Sequence, residues 1–141
     1  MKFVYLVAAA ALAMPTLASA EGDAAAGEDL FKRCKSCHMI TAADGTAIQK
    51  GGRTGPNLFG VIGRVAGTDE DFGKKYSKST VAAGEAGLVW DEEQLAVYLE
   101  DPTAYLKAYL EDDSAKSRMV FKLKKGGADI AAYLASVGPE S

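Results

Sequence analysis

Residues 34–38 read Cys34-Lys35-Ser36-Cys37-His38, and they hold both cysteines and the single histidine of a 141-residue chain. Two thiols separated by two residues, with an imidazole next door, are what covalent haem attachment requires. Each thiol adds across one vinyl group, and the imidazole turns under the ring to meet the iron. Three other uses of such a pair compete. A thioredoxin-type redox couple would sit near a βαβ pattern, and none surrounds it. A closed structural zinc site wants four N or S ligands, and this chain offers two Cys and one His. A plain disulfide, usual in exported proteins, stays open beside the haem reading.

The chain begins with Lys2, an apolar run from Phe3 to Met14, a break at Pro15, and the small residues Ala18-Ser19-Ala20. This pattern predicts a secretory signal peptide over residues 1–20, cleaved before Glu21, with one domain over residues 21–141. The apolar run is too short to span a bilayer, so a protein not inserted in the membrane is expected. Haem attachment to such a motif takes place outside the bacterial cytoplasm, so motif and leader together point to the periplasm. Loss of Lys2 with the leader takes 16 Lys and Arg to 15, against 19 Asp and Glu. That balance argues against nucleic acid as a partner. Acidic residues gather at 69–71, 91–93 and 111–113, and basic ones around the Cys-His motif and near the C-terminus.

Helical periodicity is legible in four places. Gly27, Leu30, Phe31 and Cys34 share one face of a helix predicted from Ala24 to Lys35, with Asp23 as N-cap. Asp91 and Gln94 have the spacing of a capping box, ahead of a helix from about Glu92 to Glu100. Asp101-Pro102 then restarts the chain as a cap and first helical residue, for a helix to about Leu110. After Gly126-Gly127, the stripe Ile130, Tyr133, Leu134 and Val137 predicts a last helix that stops at Gly138-Pro139. The glycine-rich stretch from Thr41 to Thr68 has no period and reads as loop; a loop of that length needs an apolar object to wrap. With no convincing strand, the fold class is all-α: a single domain of about four to five helices and long loops around one haem.

Iron held by His38 has a second axial position. After leader cleavage the methionines are Met39 and Met119. Met39 follows the proximal ligand directly and cannot cross to the other face of the ring, which leaves Met119. A lone methionine is ordinarily a core gap-filler. Here it lies in Ser117-Arg118-Met119-Val120-Phe121, a non-periodic segment between two helices.

In ordered coverage of nearly the whole domain the chain resembles the class I c-type cytochromes, most closely the bacterial cytochromes c2. The match runs from Gly27 and Phe31 through the Cys34–His38 motif, Gly55-Pro56-Asn57-Leu58, Gly63-Arg64, Trp90, Tyr98 and Met119-Val120-Phe121 to the closing stretch from Asp129 to Leu134. The resemblance implies one haem c bound through Cys34 and Cys37, with His38 and Met119 as axial ligands. It implies that the Pro56 carbonyl accepts from His38 Nδ1, that Tyr98 lies beside the Met119 sulfur, and that Ser117 ties the ligand loop. Trp90, Tyr76 and Arg64 are implied beside a buried propionate, and Gly27 and Phe31 against Ile130 and Tyr133 in a crossing of the first and last helices. The segment between Tyr105 and Met119 and the 41–53 loop are longer than in mitochondrial relatives, which leaves the ligand loop's path open.

Axial sites both filled by protein leave iron no free position for oxygen or peroxide, so one-electron transfer is the use implied, and not catalysis. The resemblance names a membrane quinol-oxidising cytochrome bc complex as donor and a photosynthetic reaction centre or terminal cytochrome oxidase as acceptor, with the carrier a monomer. Lys32, Arg33, Lys35, Arg53, Arg118, Lys122, Lys124 and Lys125 are candidates for a basic docking ring. Two other classes compete: a five-coordinate gas sensor or peroxidase, should Met119 dissociate, and a thiol-disulfide exchanger, should haem never be attached.

Overall fold

The computed structural model describes residues 22–139, so the leader over 1–20 and its cleavage before Glu21 lie outside the described residues. Five helices carry the architecture: α1 (Ala24–Leu30), α2 (Lys78–Glu85), α3 (Glu92–Glu100), α4 (Pro102–Leu110) and α5 (Gly127–Val137). Among the described residues no helix is long and apolar enough to cross a membrane.

Caps set most of the helix starts. The Asp23 carboxylate accepts from Ala25 N and Ala26 N, that of Asp91 from Gln94 N, and that of Asp101 from Ala104 N ahead of Pro102. The first helix ends sooner than its periodicity suggests. After Leu30 the chain tightens into a 3-10 turn, Phe31–Arg33, a common way of satisfying the last carbonyls of a helix.

α1 and α5 form the most extensive helix pair, and α5 also packs on α3. Gly27 makes the first contact possible: a Cβ there would stand 1.9 Å from the Asp129 carbonyl oxygen. Beside it the rings of Phe31 and Tyr133 meet at 5.8 Å, and Asp129 reaches back to accept from Asp23 N at 2.8 Å. Phe31, Ile130, Tyr133 and Leu134 are buried there, in one core with Leu88, Leu99, Leu106 and Leu123.

Two elements are not placed by the sequence pattern, one of them a departure from helices and loops alone. A short antiparallel hairpin pairs β1 (Ile40–Thr41) with β2 (Ala47–Gln49). It turns at Asp44-Gly45, where Gly45 takes a φ of 88° and the Asp44 carboxylate accepts from Thr46 N. The second is α2, which begins at Ser77, whose hydroxyl accepts from Thr80 N at 3.0 Å. Thr80, Val81 and Gly84 are poor helix formers, so its periodicity is faint and tertiary packing sustains it.

Candidate functional site

The Cys-His motif follows α1 directly, and the glycine-rich loop wraps it through backbone hydrogen bonds. Gly52 N donates to Lys35 O at 2.8 Å, Gly55 N to Cys37 O at 2.8 Å, and Leu58 N to Met39 O at 3.0 Å. Asn57 clips the loop to β1, accepting from Thr41 N at 3.0 Å and donating to Thr41 O at 2.8 Å. Gly55 is demanded by closeness, since a Cβ there would fall 2.3 Å from His38 Cε1.

This folding brings the Pro56 carbonyl oxygen to 2.9 Å from His38 Nδ1. A carbonyl can only accept, so Nδ1 carries the proton, and in the neutral ring Nε2 keeps its lone pair. His38 is buried, and burial lowers its pKa against the raising effect of the Pro56 bond. A neutral imidazole with a committed tautomer is the form that binds a metal.

His38 lines a cavity of about 280 Å³ that also touches Cys34, Cys37, Pro56, Arg64, Tyr76, Trp90, Tyr98, Ser117 and Met119. All ten residues singled out in the sequence therefore share one space, although they come from the motif, the glycine-rich loop, the turn before α2, the connection between α2 and α3, α3 itself and the segment after α4. Leu58, Val61, Leu95 and Leu99 supply much of the remaining wall. Both thiols are unpaired, Cys34 half-buried and Cys37 exposed. Burial raises the Cys34 pKa to about 11, against the lowering effect of Arg33. That is the opposite of the acidic thiol that drives thiol-disulfide exchange. Among the described residues no cluster of three His, Cys, Asp or Glu could hold a metal by itself.

The aromatic wall is continuous. Trp90 and Tyr98 lie 4.8 Å apart between ring centroids, and Tyr105 packs on both at 5.9 and 5.7 Å. Tyr98 shares a hydrogen bond of 2.9 Å with Ser117, whose hydroxyl accepts from Met119 N at 3.0 Å. Burial raises the Tyr98 pKa, with the Ser117 bond opposing it, so the phenol stays neutral. Arg64 donates to Asn57 O at 2.9 Å and to Phe59 O at 2.6 Å and lies 3.7 Å from the Asp69 carboxylate. Burial likewise raises the Tyr76 pKa, partly offset by Arg64.

Two contributors carried no assigned role in the sequence: Asn57, as the clip of the loop, and Thr103, whose Oγ1 accepts from Ser117 N at 3.1 Å. Asn57 was within reach of its setting beside Gly55-Pro56. Thr103 acts across a gap of 14 residues that no local pattern encodes.

The cavity and its donors define a class, a small helical protein that holds a thioether-linked haem, and relatives define the family. The chain is 60% identical over 122 residues to cytochrome c-551 of Roseobacter denitrificans, covering 86% of each chain. It is 57% identical over 131 residues to cytochrome c2 of Rhodobacter capsulatus, covering 93% of this chain and 92% of that one. The solved structure of that cytochrome c2 superposes with a TM-score of 0.80 at 58% identity, over 82% of this chain and 98% of the other. The cytochrome c2 structure from Paracoccus denitrificans gives 0.81 at 46% identity, over 86% of this chain and all of that one. No family model matches the chain. The chain belongs to the class I c-type cytochromes, in the bacterial cytochrome c2 group. It is an electron-transfer protein and not an enzyme, and it carries one haem c, bound through Cys34 and Cys37.

Proposed function

We propose that this cytochrome is a periplasmic one-electron shuttle with His38 and Met119 as axial ligands. In this reading residues 1–20 are the export leader and residues 21–141 the mature monomer. Its donor is a quinol-oxidising cytochrome bc complex, and its acceptor a reaction centre or terminal oxidase. The observation that carries it is the meeting of both thiols, the Pro56-bound imidazole and the Met119 thioether in one apolar-walled cavity. The donor chemistry fits the group: thiols for the two vinyl additions, a lone pair on His38 Nε2, and a soft thioether. When bound, the haem supplies a one-electron iron couple, whose potential thioether ligation raises.

The chain's own residues then do the rest. Pro56 fixes the His38 tautomer and raises its basicity. Ser117 and Tyr98 hold the backbone that presents Met119. Leu58, Val61, Leu95 and Leu99 keep water from the site, lowering the local dielectric and disfavouring extra positive charge. Arg64 and Tyr76, both on the cavity lining, would supply a haem propionate with a cation and a hydroxyl. Of the basic candidates, Lys32 and Lys122 are paired to Asp29 and Asp101, Arg118 donates to Lys75 O, and Arg33 lies over the Phe121 ring. Lys35, Arg53, Lys124 and Lys125 make no ion pair with any described residue and are the cations best suited to steer a partner.

The test is spectral. Coexpressed with a haem-attachment system, the purified protein should show a low-spin reduced spectrum and, when oxidised, a weak far-red thioether-to-iron band that Met119→Ala removes. A high-spin spectrum indifferent to Met119 would defeat the axial assignment.

A further inference from the structure

Met119 sits in a strap, residues 117–123, tied at both ends to one corner of the fold, where α3 gives way to α4. Upstream, Ser117 N donates to Thr103 Oγ1 at 3.1 Å, while Ser117 Oγ accepts from Met119 N at 3.0 Å. Downstream, Lys122 Nζ lies 2.7 Å from Asp101 Oδ2, and Leu123 N donates to Leu99 O at 2.8 Å. Leu99, Asp101 and Thr103 thus anchor the strap on both sides of the methionine. Between the anchors Met119 and Phe121 pack against the core, whereas Val120 between them is 85% exposed. Behind it lies a second hollow of about 290 Å³, lined by Asp101, Pro102, Thr103, Lys107 and Lys122, with Met119 and Val120 as the wall shared with the main cavity. On the side of that hollow no side chain backs Met119 and Val120, so there the strap's position depends on its ties.

We infer that Thr103 and the Asp101–Lys122 pair are positioning residues of the redox site: they keep the Met119 thioether at the main cavity and set how often the strap swings back into the hollow behind it. The inference rests on the reading of Met119 as an axial ligand. Neither Thr103, Asp101 nor Lys122 lines the main cavity, so all three act through the strap. Asp101 has two duties that substitution can separate. Asp101→Asn retains a side-chain oxygen to cap Ala104 N and removes the charge facing Lys122.

The experiment uses the oxidised, haem-loaded protein and imidazole. An incoming imidazole can take the sixth position only after Met119 leaves, so the binding rate at saturating imidazole reads strap opening. Thr103→Val should raise that rate about five- to tenfold, the equivalent of one lost hydrogen bond, and Thr103→Ser should restore it. Asp101→Asn and Lys122→Gln should each raise it about two- to fivefold at low salt, a gain that disappears at about 1 M salt. Ser136→Ala, which removes a comparable hydroxyl bond to Tyr133 O on α5, should leave it unchanged. Wild-type rates in Thr103→Val and Asp101→Asn, with saturation still dependent on Met119, would overturn the inference and leave the axial assignment standing. Unsaturable binding that is identical in wild type and Met119→Ala would instead sink the axial assignment. Amide hydrogen exchange at Ser117 and Met119 then decides the ties without reference to iron: faster exchange in Thr103→Val supports them, and unchanged protection overturns them.

Discussion

The α1–α5 crossing and the 117–123 strap face the same haem-attachment segment but are held in opposite ways. At the crossing, backbone meets backbone: Gly27 admits the Asp129 carbonyl at a distance no side chain would tolerate, and the rings of Phe31 and Tyr133 close over it. At the strap, apart from the backbone bond of Leu123 N to Leu99 O, side chains do the holding, through Thr103, Ser117, Tyr98 and the Asp101–Lys122 pair. A contact made by shape is stiff and fails all at once, whereas one made of separate polar bonds can be loosened by degrees. The rigid end leads directly into the two cysteines and His38. The adjustable end carries Met119, the proposed axial ligand, whose hold on iron would then tune potential and exchange.

The largest effect should come from breaking the crossing. Gly27→Ala places a methyl on backbone that cannot move aside without separating the helices, and should cost about 3 kcal/mol in denaturant unfolding of the haem-loaded protein. A loss under about 1 kcal/mol would mean that the crossing flexes as readily as the strap. Next comes Arg64, which belongs to neither region and joins the loop to the cavity rim. Arg64→Met leaves the carbonyls of Asn57 and Phe59 without their donor and Asp69 without its cation, for an expected loss of about 2 kcal/mol. The same variant should shift the midpoint potential, because a charge beside the haem pocket is lost; an unchanged potential would separate Arg64 from the redox site.

Legibility followed the same division. Helical spacing put Gly27 and Phe31, and Ile130 and Tyr133, on faces of their own segments, but it was the family resemblance that paired those faces in a crossing. The helices from Glu92, Pro102 and Gly127 announced themselves by Asp91, Asp101-Pro102 and Gly126-Gly127, local signals with a direct structural cause. The ten cavity residues could be named because the Cys-His motif and the residues matching the family supply chemistry that needs partners. What escaped was weakly encoded or non-local. α2 carries Thr80, Val81 and Gly84 where a helix would prefer alanine or leucine, and Ser77 was its one clear mark. The hairpin had its Asp44-Gly45 signal, but its strands of two and three residues were too short to show alternation. Thr103 and Lys122 gain their roles from contacts across 14 and 21 positions, which no window of sequence displays.

Lysines around the strap sharpen the comparison further. Lys122 is spent on Asp101, while Lys124 has no ion-pair partner among the described residues. Lys124→Glu should therefore slow electron transfer to an acidic membrane partner several-fold at low ionic strength, and the difference should shrink as salt is raised. Lys122→Gln should change that bimolecular rate less and imidazole binding more. Equal slowing by both variants would mean that the pair opens on docking, and rates independent of ionic strength would remove the docking role of both.

The smallest effect lies at the far end of α4, the helix whose start anchors the strap. Glu111 closes α4 in the left-handed region, at φ 52°, with its N–H donating to Ala108 O. A side chain there crowds the following carbonyl by about 1 kcal/mol, which glycine avoids. Glycine also enlarges the freedom of the unfolded chain, returning part of that gain. Glu111→Gly should thus stabilise the protein by about 0.5 kcal/mol in denaturant midpoint. Because this cap is remote from Asp101 and Thr103, imidazole binding should keep its wild-type saturating rate. A slower strap in this variant would show that the ties at the start of α4 respond to the whole helix, and the two ends of the molecule would then differ less than their contacts suggest.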